Sequence, residues 1–174
     1  NLELIGATAQ TLHPKASTQH PNLRVNGSGG VTLASNSLQA GSLMIDAGTL
    51  DLGSGFTHNV AMVTTSGGGL LFNNSTLKVA GNADLSGLGT LAPGTGTLQF
   101  ISSSGTQVFT PKVSTTYPAI VHSGAGTVQL GTNDLTCASF AQSAGALDLN
   151  GRNLTTTGDF TVTAHYEILE VAMP

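Results

Sequence analysis

The chain has 174 residues, of which only 8% are charged, with 5 Lys and Arg against 9 Asp and Glu. So few cations exclude a basic nucleic-acid-binding module, and an apolar content of 39% excludes a charged disordered tail. A single cysteine excludes an intrachain disulfide scaffold. With 23 Gly and 24 Thr, the composition predicts a turn-rich, all-β chain and disfavours a helical bundle.

The first predicted element is a strand at residues 2–5, where the sequence is Leu-Glu-Leu-Ile. The first residue is Asn1, and no charged region followed by an apolar core precedes this strand. We therefore interpret the chain as a processed product or a segment of a longer protein. Apolar runs fall well short of the ~20 residues that a membrane-spanning helix requires, so no membrane span is expected.

The next feature is an irregular segment, residues 14–21, and a second segment of the same kind follows at 111–118. Proline lacks the N–H that a central strand donates, so both segments are predicted to be loops. The strand spacing lengthens to about 30 residues at each, which predicts roughly ten extra residues projecting from the same side of the fold. Because function concentrates on projecting loops, these are the candidate interaction loops, and the alternative is that they only link successive coils. Their candidate contact residues are Pro14, Lys15, His20, Pro21, Pro111, Lys112, Tyr117 and Pro118.

Short strands recur along the rest of the chain. A turn residue precedes an apolar-x-apolar triplet whose first apolar position falls at 31, 50, 70 and 91, and again at 128 and 147. A step of roughly 20 residues suits one coil of a parallel β-helix, with three short strands and three turns. Seven or eight such coils would form a rod of roughly 40 Å. A two-sheet sandwich is the alternative, but regular Asn-Gly or Asp-Gly hairpin pairs are missing.

A longer repeat contains these coils. Residues 10–52 align without a gap with residues 107–149, a shift of 97, and 18 of the 43 positions are identical. The duplication predicts one solenoid unit at 1–97 and a second, incomplete unit at 98–174. It also accounts for the scarcity of charge, because like charges stacked on neighbouring coils repel.

Asparagines mark several corners of the predicted coils. Asn36 and Asn133 occupy matched positions in the two copies, and Asn74 and Asn153 also precede a leucine. Stacked amides could bond along the axis as a ladder, or each Asn could serve as an isolated turn residue. Both interpretations are compatible with the sequence.

The carboxylates and the cysteine do not predict an active site. Asp51 and Asp148 each lie in a Leu-Asp-Leu triplet and are expected to be solvated strand positions, whereas Asp46 and Asp134 are not repeated between the copies. Glycan-cleaving β-helices need clustered carboxylates or cations, and no Arg or Lys cluster accompanies these acids in the sequence. Cys137 matches an alanine in the first copy and is predicted to be a buried, inert thiol. Enzymatic activity is not expected.

The histidines do not predict a metal site. His13 and His20 lie seven residues apart in the first loop, but no cysteine or acid accompanies them there. His58, His122 and His165 are scattered and are expected to be surface or turn residues. No cofactor or metal is predicted.

The C-terminal segment 165–174 departs from the coil pattern, with two of the nine acids and no glycine. It is compatible with a further coil, a cap, or a strand that pairs elsewhere.

The run 143–160, with the sequence SAGALDLNGRNLTTTGDF, resembles the repeats of large bacterial secreted surface proteins of the filamentous-haemagglutinin and autotransporter-passenger type. The similarity in style extends over residues 1–163. The resemblance implies a right-handed β-helix, export to the cell surface, and an adhesive or structural role. Loops that recur after 97 residues and the atypical C-terminal segment are not general features of that class.

The expected function is that of a non-catalytic extracellular or cell-surface β-solenoid, either part of an adhesin or a filament-forming subunit. Its expected partners are other copies, neighbouring solenoid segments, or host or surface glycans. The alternative is a carbohydrate-binding or carbohydrate-degrading β-helix, which two Tyr and no Trp disfavour, because sugars stack on aromatic rings.

Overall fold

The structure is a computed structural model that describes residues 1–163 and residues 168–169. The described chain is all-β, without a helix, and consists of short strands joined by turns. The strands are β1 (Leu2–Leu4), β2 (Gln10–Leu12), β3 (Leu23–Val25), β4 (Val31–Leu33), β5 (Gln39–Ile45), β6 (Thr49–Asp51), β7 (Thr57–Thr65), β8 (Gly69–Leu71), β9 (Thr76–Val79), β10 (Ala83–Asp84), β11 (Thr90–Ala92), β12 (Thr97–Phe100), β13 (Thr106–Thr110), β14 (Thr116–Tyr117), β15 (Ala119–His122), β16 (Thr127–Leu130), β17 (Leu135–Cys137), β18 (Phe140–Gln142), β19 (Ala146–Asp148), β20 (Leu154–Thr156), β21 (Phe160–Val162) and β22 (Ile168–Leu169).

The chain winds through three faces in a fixed order. The first face contains β1, β3, the second halves of β5 and β7, and then β10, β13, β16, β19 and β22. The second face contains β2, β4, β6, β8 and β11, and after a break β14, β17 and β20. The third face contains the first halves of β5 and β7, and then β9, β12, β15, β18 and β21. Every described strand pair is parallel, so the fold is a β-solenoid of about eight turns, as predicted, and a sandwich is excluded.

The register shows one irregular coil. Paired residues are 19 to 22 positions apart throughout, as in Val31 with Leu50, except that Ala83 pairs with Phe109. The second face is divided in the same region, between β11 and β14, into a five-stranded and a three-stranded sheet.

The core is a column of inward-facing side chains. Alternate residues of each strand point inward, because successive side chains of a strand lie on opposite faces. Leu50, Leu70, Leu77 and Leu98 are fully buried. Each apolar layer packs on the layers of the coils above and below, so burial of stacked aliphatic residues provides the main stabilisation.

The two copies of the duplicated sequence occupy different faces. β4 belongs to the second face, but its equivalent 97 residues later, β16, belongs to the first. In the same way, β6 of the second face corresponds to β19 of the first, and β3 of the first corresponds to β15 of the third. Ninety-seven residues make roughly four and two-thirds coils, so the second copy is displaced by one face around the axis.

This displacement corrects the prediction for the two loops. The first loop lies between β2 of the second face and His20, which bridges to Ala40 on the third. The second loop follows β13 of the first face, and its residues Thr116 and Tyr117 form β14 of the second, so the segment is not a loop throughout and the two loops do not project from the same side. The predicted ten extra residues are also wrong, because Leu2 pairs with Leu23 and Leu98 with Ile120, which are ordinary coil steps. The apparent 29- and 30-residue intervals joined strands that lie on different faces.

Within the described residues, no helix has the length and apolar character needed to cross a membrane. Of the atypical segment 165–174, only β22 is described, and it pairs in parallel with β19. The rest of that prediction lies outside the described residues.

Candidate functional site

The two Pro-Lys loops share one internal geometry. In the first loop, the backbone N–H of Lys15 donates to Nε2 of His20 at 3.1 Å, and Asn36 Nδ2 donates to the carbonyl oxygen of Pro14 at 3.0 Å. Ser17 has a positive φ of 54°, and Thr18 bonds back to the carbonyl at residue 16.

The second loop repeats these contacts with one exchange. The N–H of Lys112 donates to the hydroxyl of Tyr117 at 2.8 Å, and Asn133 Nδ2 donates to the carbonyl oxygen of Pro111 at 2.8 Å. Ser114 also has a φ of 54°. His20 and Tyr117 therefore fulfil the same role at matched positions, since each closes its loop by accepting the lysine N–H.

The contacts of Asn36 and Asn133 decide between the two interpretations of the asparagines. Each side chain bonds to a backbone carbonyl one coil earlier, and no contact between these two amides exists. They are turn residues that join coils, and the structure contains no amide ladder at these positions.

Burial sorts the eight candidate contact residues. Lys15 and Pro21 are exposed, and His20 and Lys112 are half-buried. Pro14, Pro111, Tyr117 and Pro118 are buried, which corrects their assignment as contact residues.

Tyr117 belongs to the core because its ring contacts another ring inside the solenoid. It packs edge-on against Phe109 at a centroid distance of 5.3 Å, and Phe109 lies 5.1 Å from Phe100. Burial raises the pKa of the Tyr117 hydroxyl.

The second loop forms one wall of a polar cleft. The cleft has a volume of about 360 Å³ and is lined by residues 113–115 of the loop, residues 132–134 and Thr136 of the next coil, and Arg152 of the coil after that. Hydroxyl, amide, carboxylate and guanidinium groups all reach this space.

Asp134 and Arg152 give the cleft its charge. Asp134 accepts hydrogen bonds from the backbone N–H of Asn153 at 2.9 Å and from its Nδ2 at 3.2 Å. These bonds, together with the nearby Arg152 guanidinium, lower the pKa of the carboxyl group, so it is ionised at neutral pH. No cation was predicted beside this acid, because Arg152 is distant from it in the sequence. The 18-residue separation between them is close to one coil, and that spacing was the available signal.

A second charged group lies near the N-terminal end of the first face. Arg24 forms ion pairs with Glu3 at 3.1 Å and with Asp46 at 2.6 Å, and all three side chains come from successive coils. Ser66 donates to Asp46, and this bond and that from Arg24 lower the pKa of the Asp46 carboxyl group. This cluster was not predicted either, because Glu3 and Arg24 are 21 residues apart in the sequence and Arg24 and Asp46 are 22 apart.

Asp51 and Asp148 hold corners of the solenoid. Asp51 accepts from the N–H of Gly53 and from Nδ2 of Asn73 in the next coil, at 2.8 and 2.6 Å. Asp148 accepts from the N–H of Asn150 at 2.8 Å and from Gln129 of the preceding coil at 2.6 Å. They are half-buried residues at the ends of β6 and β19, in strands as predicted, but they are bonded to the adjacent turn and coil rather than free in solvent.

Two histidines are buried, contrary to the prediction of surface or turn positions. His58 Nδ1 accepts the N–H of Leu38 at 2.9 Å, and its Nε2 lies 2.8 Å from the carbonyl oxygen of Leu52, so the ring is a neutral Nε2–H tautomer that joins two coils. His122 Nδ1 lies 2.9 Å from Gln142 Nε2, which also donates to the Ala144 carbonyl at 2.8 Å. Burial lowers the pKa of both imidazoles.

The pair His122–Gln142 retains two unpaired buried atoms. His122 Nε2 and Gln142 Oε1 have no hydrogen-bond partner among the described residues. Their equivalents in the first copy are Val25 and Ile45, which are apolar and buried. The second copy therefore carries a polar pair where the first carries an apolar one.

Cys137 is buried, as predicted, and burial raises the pKa of its thiol to about 11. In residues 1–163, where side chains are described, no group of three or more His, Cys, Asp or Glu is arranged to hold a metal ion.

The fold and these contacts define a β-solenoid repeat protein with a charged cleft beside its second loop. Comparison with known proteins gives no matching family model, no matching curated protein and no matching solved structure.

Proposed function

We propose that this chain is a non-catalytic, extracellular or cell-surface β-solenoid with a structural or adhesive role, either a segment of a large surface protein or a filament-forming subunit. The stacked coils form a stiff scaffold, and contact with other molecules takes place at loops and faces. Other copies of the chain, neighbouring solenoid segments and surface glycans are its proposed partners.

One observation carries the proposal: the carboxylates bind the scaffold together. Six of the seven acids in residues 1–163 accept hydrogen bonds from their own turn or from an adjacent coil. They are Glu3, Asp46, Asp51, Asp84, Asp134 and Asp148. General acid–base cleavage of a glycan requires two carboxyl groups that face one reacting bond. Here the six acids are distributed along the solenoid, and each of the six accepts a hydrogen bond from its own structural partner.

The resemblance of residues 143–160 to repeats of secreted bacterial surface proteins supports the proposed location. The alternative function is that of a carbohydrate-degrading β-helix.

Turnover and imaging measurements test the proposal together. The purified chain is incubated with plant and bacterial polysaccharides, and released reducing ends are measured, with heat-denatured chain as the control. The native material is imaged by electron microscopy and applied to immobilised cells and glycans. We expect no cleavage, together with either continuous fibres or specific surface binding. Measured cleavage would overturn the proposal, and so would a chain that neither binds a surface nor assembles.

A further inference from the structure

We propose that the cleft beside the second loop binds an acidic saccharide, with Arg152 pairing with the sugar carboxylate and Asp134 accepting sugar hydroxyls. This inference rests on the proposed adhesive function, and it names the class of ligand and the place where it binds.

The charges in the cleft are arranged to meet a ligand that carries both a carboxylate and hydroxyls. Arg152 is exposed, and among the described contacts only its backbone N–H is engaged, donating to the carbonyl of Leu149 at 2.8 Å. A guanidinium presents a planar fork of donors that matches a carboxylate in two parallel hydrogen bonds. Asn153 donates one hydrogen bond to each oxygen of Asp134, and each oxygen keeps a further lone pair for a hydroxyl donor.

The remaining lining suits a polyol. Ser114, Thr132 and Thr136 carry small hydroxyl groups that can donate and accept, and the Thr115 hydroxyl, which donates to the Val113 carbonyl, can still accept. A volume of about 360 Å³ lies at the lower end of the range for ligand sites. None of the described lining residues is aromatic, which disfavours neutral sugars that bind by stacking on rings. A single cation in the cleft likewise disfavours a nucleic-acid backbone.

The loop wall is fixed before any ligand arrives. The Lys112–Tyr117 and Asn133–Pro111 hydrogen bonds join the loop to the core and to the next coil. Buried Tyr117 anchors it further by its edge-on contact with Phe109. A preorganised wall lowers the entropy cost of binding.

The first loop supplies an internal comparison. It has the same backbone contacts, but Ser37 stands at the position of Asp134, and the register of the next coil places Phe56 where the second copy has Arg152. The duplicated scaffold is thus present twice, and the pair of charges only once. This difference assigns the acidic-saccharide site to the second loop alone.

Binding measurements on matched ligands test the inference. Oligosaccharides of uronic acids and their neutral counterparts are titrated calorimetrically into the wild-type chain, Arg152→Ala, Asp134→Ser and the first-loop control Ser37→Ala. Thermal unfolding confirms that each variant is folded. We expect the acidic oligosaccharides to bind more tightly than the neutral ones, and Arg152→Ala to weaken them about tenfold or more, because it removes a charge-assisted bidentate contact. Added salt should weaken binding by the wild type, and Ser37→Ala should bind like the wild type.

Two results would overturn the inference: equal affinity of Arg152→Ala and the wild type, or no wild-type binding of acidic oligosaccharides at millimolar concentration. Either could occur while the chain still assembles or binds surfaces, so the proposed function would stand without this site. Cleavage of a bound oligosaccharide would instead overturn the non-catalytic function and leave the site in place.

Discussion

Leu33 and Leu130 hold the same position in the duplicated sequence and lie on different faces of the solenoid. Leu33 pairs with Leu12 on the second face, whereas Leu130 pairs with Phe109 on the first. Both are fully buried. The same short strand thus serves on either face, because every face offers it the same environment: parallel neighbours above and below and an apolar interior.

The equivalence of the two copies predicts equal costs for loss of the loop asparagines. Asn36→Ala and Asn133→Ala each remove one hydrogen bond to a proline carbonyl, so each should lower the free energy of unfolding by about 1 kcal/mol. Urea denaturation of the two variants measures this. Costs that differ by more than about 1 kcal/mol would show that the two loops are not held alike.

A second prediction concerns a glycine at a crowded corner. Gly145 has a φ of 68°, and a Cβ there would collide with the carbonyl oxygens of Gly126 and Gly124. Gly105 has a φ of 70°, but a Cβ there would meet no atom within 4 Å. Gly105→Ala should therefore cost only the left-handed strain of about 1–2 kcal/mol, and Gly145→Ala distinctly more. Urea denaturation measures the free energy of unfolding of both variants. Equal losses of stability would contradict the crowding described at Gly145.

A third prediction is that the chain loses stability as the pH falls below about 6.5. Burial lowers the pKa of His58 and His122 in the folded chain, so the unfolded chain binds protons more readily. Burial of the two imidazoles in their neutral form imposes no cost when the pH is above about 6.5, the pKa of histidine in the unfolded chain, so the folded chain then has its full stability. It declines below that pH by up to about 1.4 kcal/mol per pH unit for each histidine, until the folded pKa is reached.

Denaturation midpoints between pH 5 and pH 8 measure this dependence. The double variant His122→Val/Gln142→Ile copies Val25 and Ile45 of the first copy, so it should show about half the decline. It should also be near neutral or stabilising at pH 8, because it removes two unpaired buried polar atoms. A double variant with the full wild-type pH dependence would exclude His122 as a contributor.

A fourth prediction concerns the thiol. Cys137 is fully buried and the pKa of its thiol is raised to about 11, so little thiolate forms at pH 8 and no reagent reaches it. An aromatic disulfide reagent should react slowly with the native chain and rapidly in concentrated urea. Cys137→Ala, which copies the buried Ala40 of the first copy, is the blank. Rapid labelling of the native chain would show that the coil around Cys137 opens readily.

Much of the fold followed from the sequence, because hydrophobic spacing is a local signal. The triplets at Val31, Leu50 and Leu70 are one coil apart, and the structure pairs their strands in parallel in that order. The placement of the loops did not follow. Leu2 and Val31 look like successive members of one series, but they lie on different faces, and only the strand pairing shows it.

The candidate site was less predictable than the fold. Tyr117 lies in a loop-like sequence between prolines, yet it is buried against Phe109, because a polar tip does not prevent a ring from filling the core when its hydroxyl has a partner. Asp134 and Arg152 line the same cleft although 17 residues lie between them in the chain. The residues on either side of each one in the sequence do not indicate that these two side chains lie close together.

The sequence alone determined that this chain forms stacked parallel coils of about 20 residues, because spacing, small corner residues and low charge are each properties of the chain itself. Only the tertiary structure decided which face each coil's strands occupy and which polar side chains meet across coils. The reason is cumulative: each coil adds 19 to 22 residues, and one adds 26, so position around the axis depends on the sum of all preceding steps.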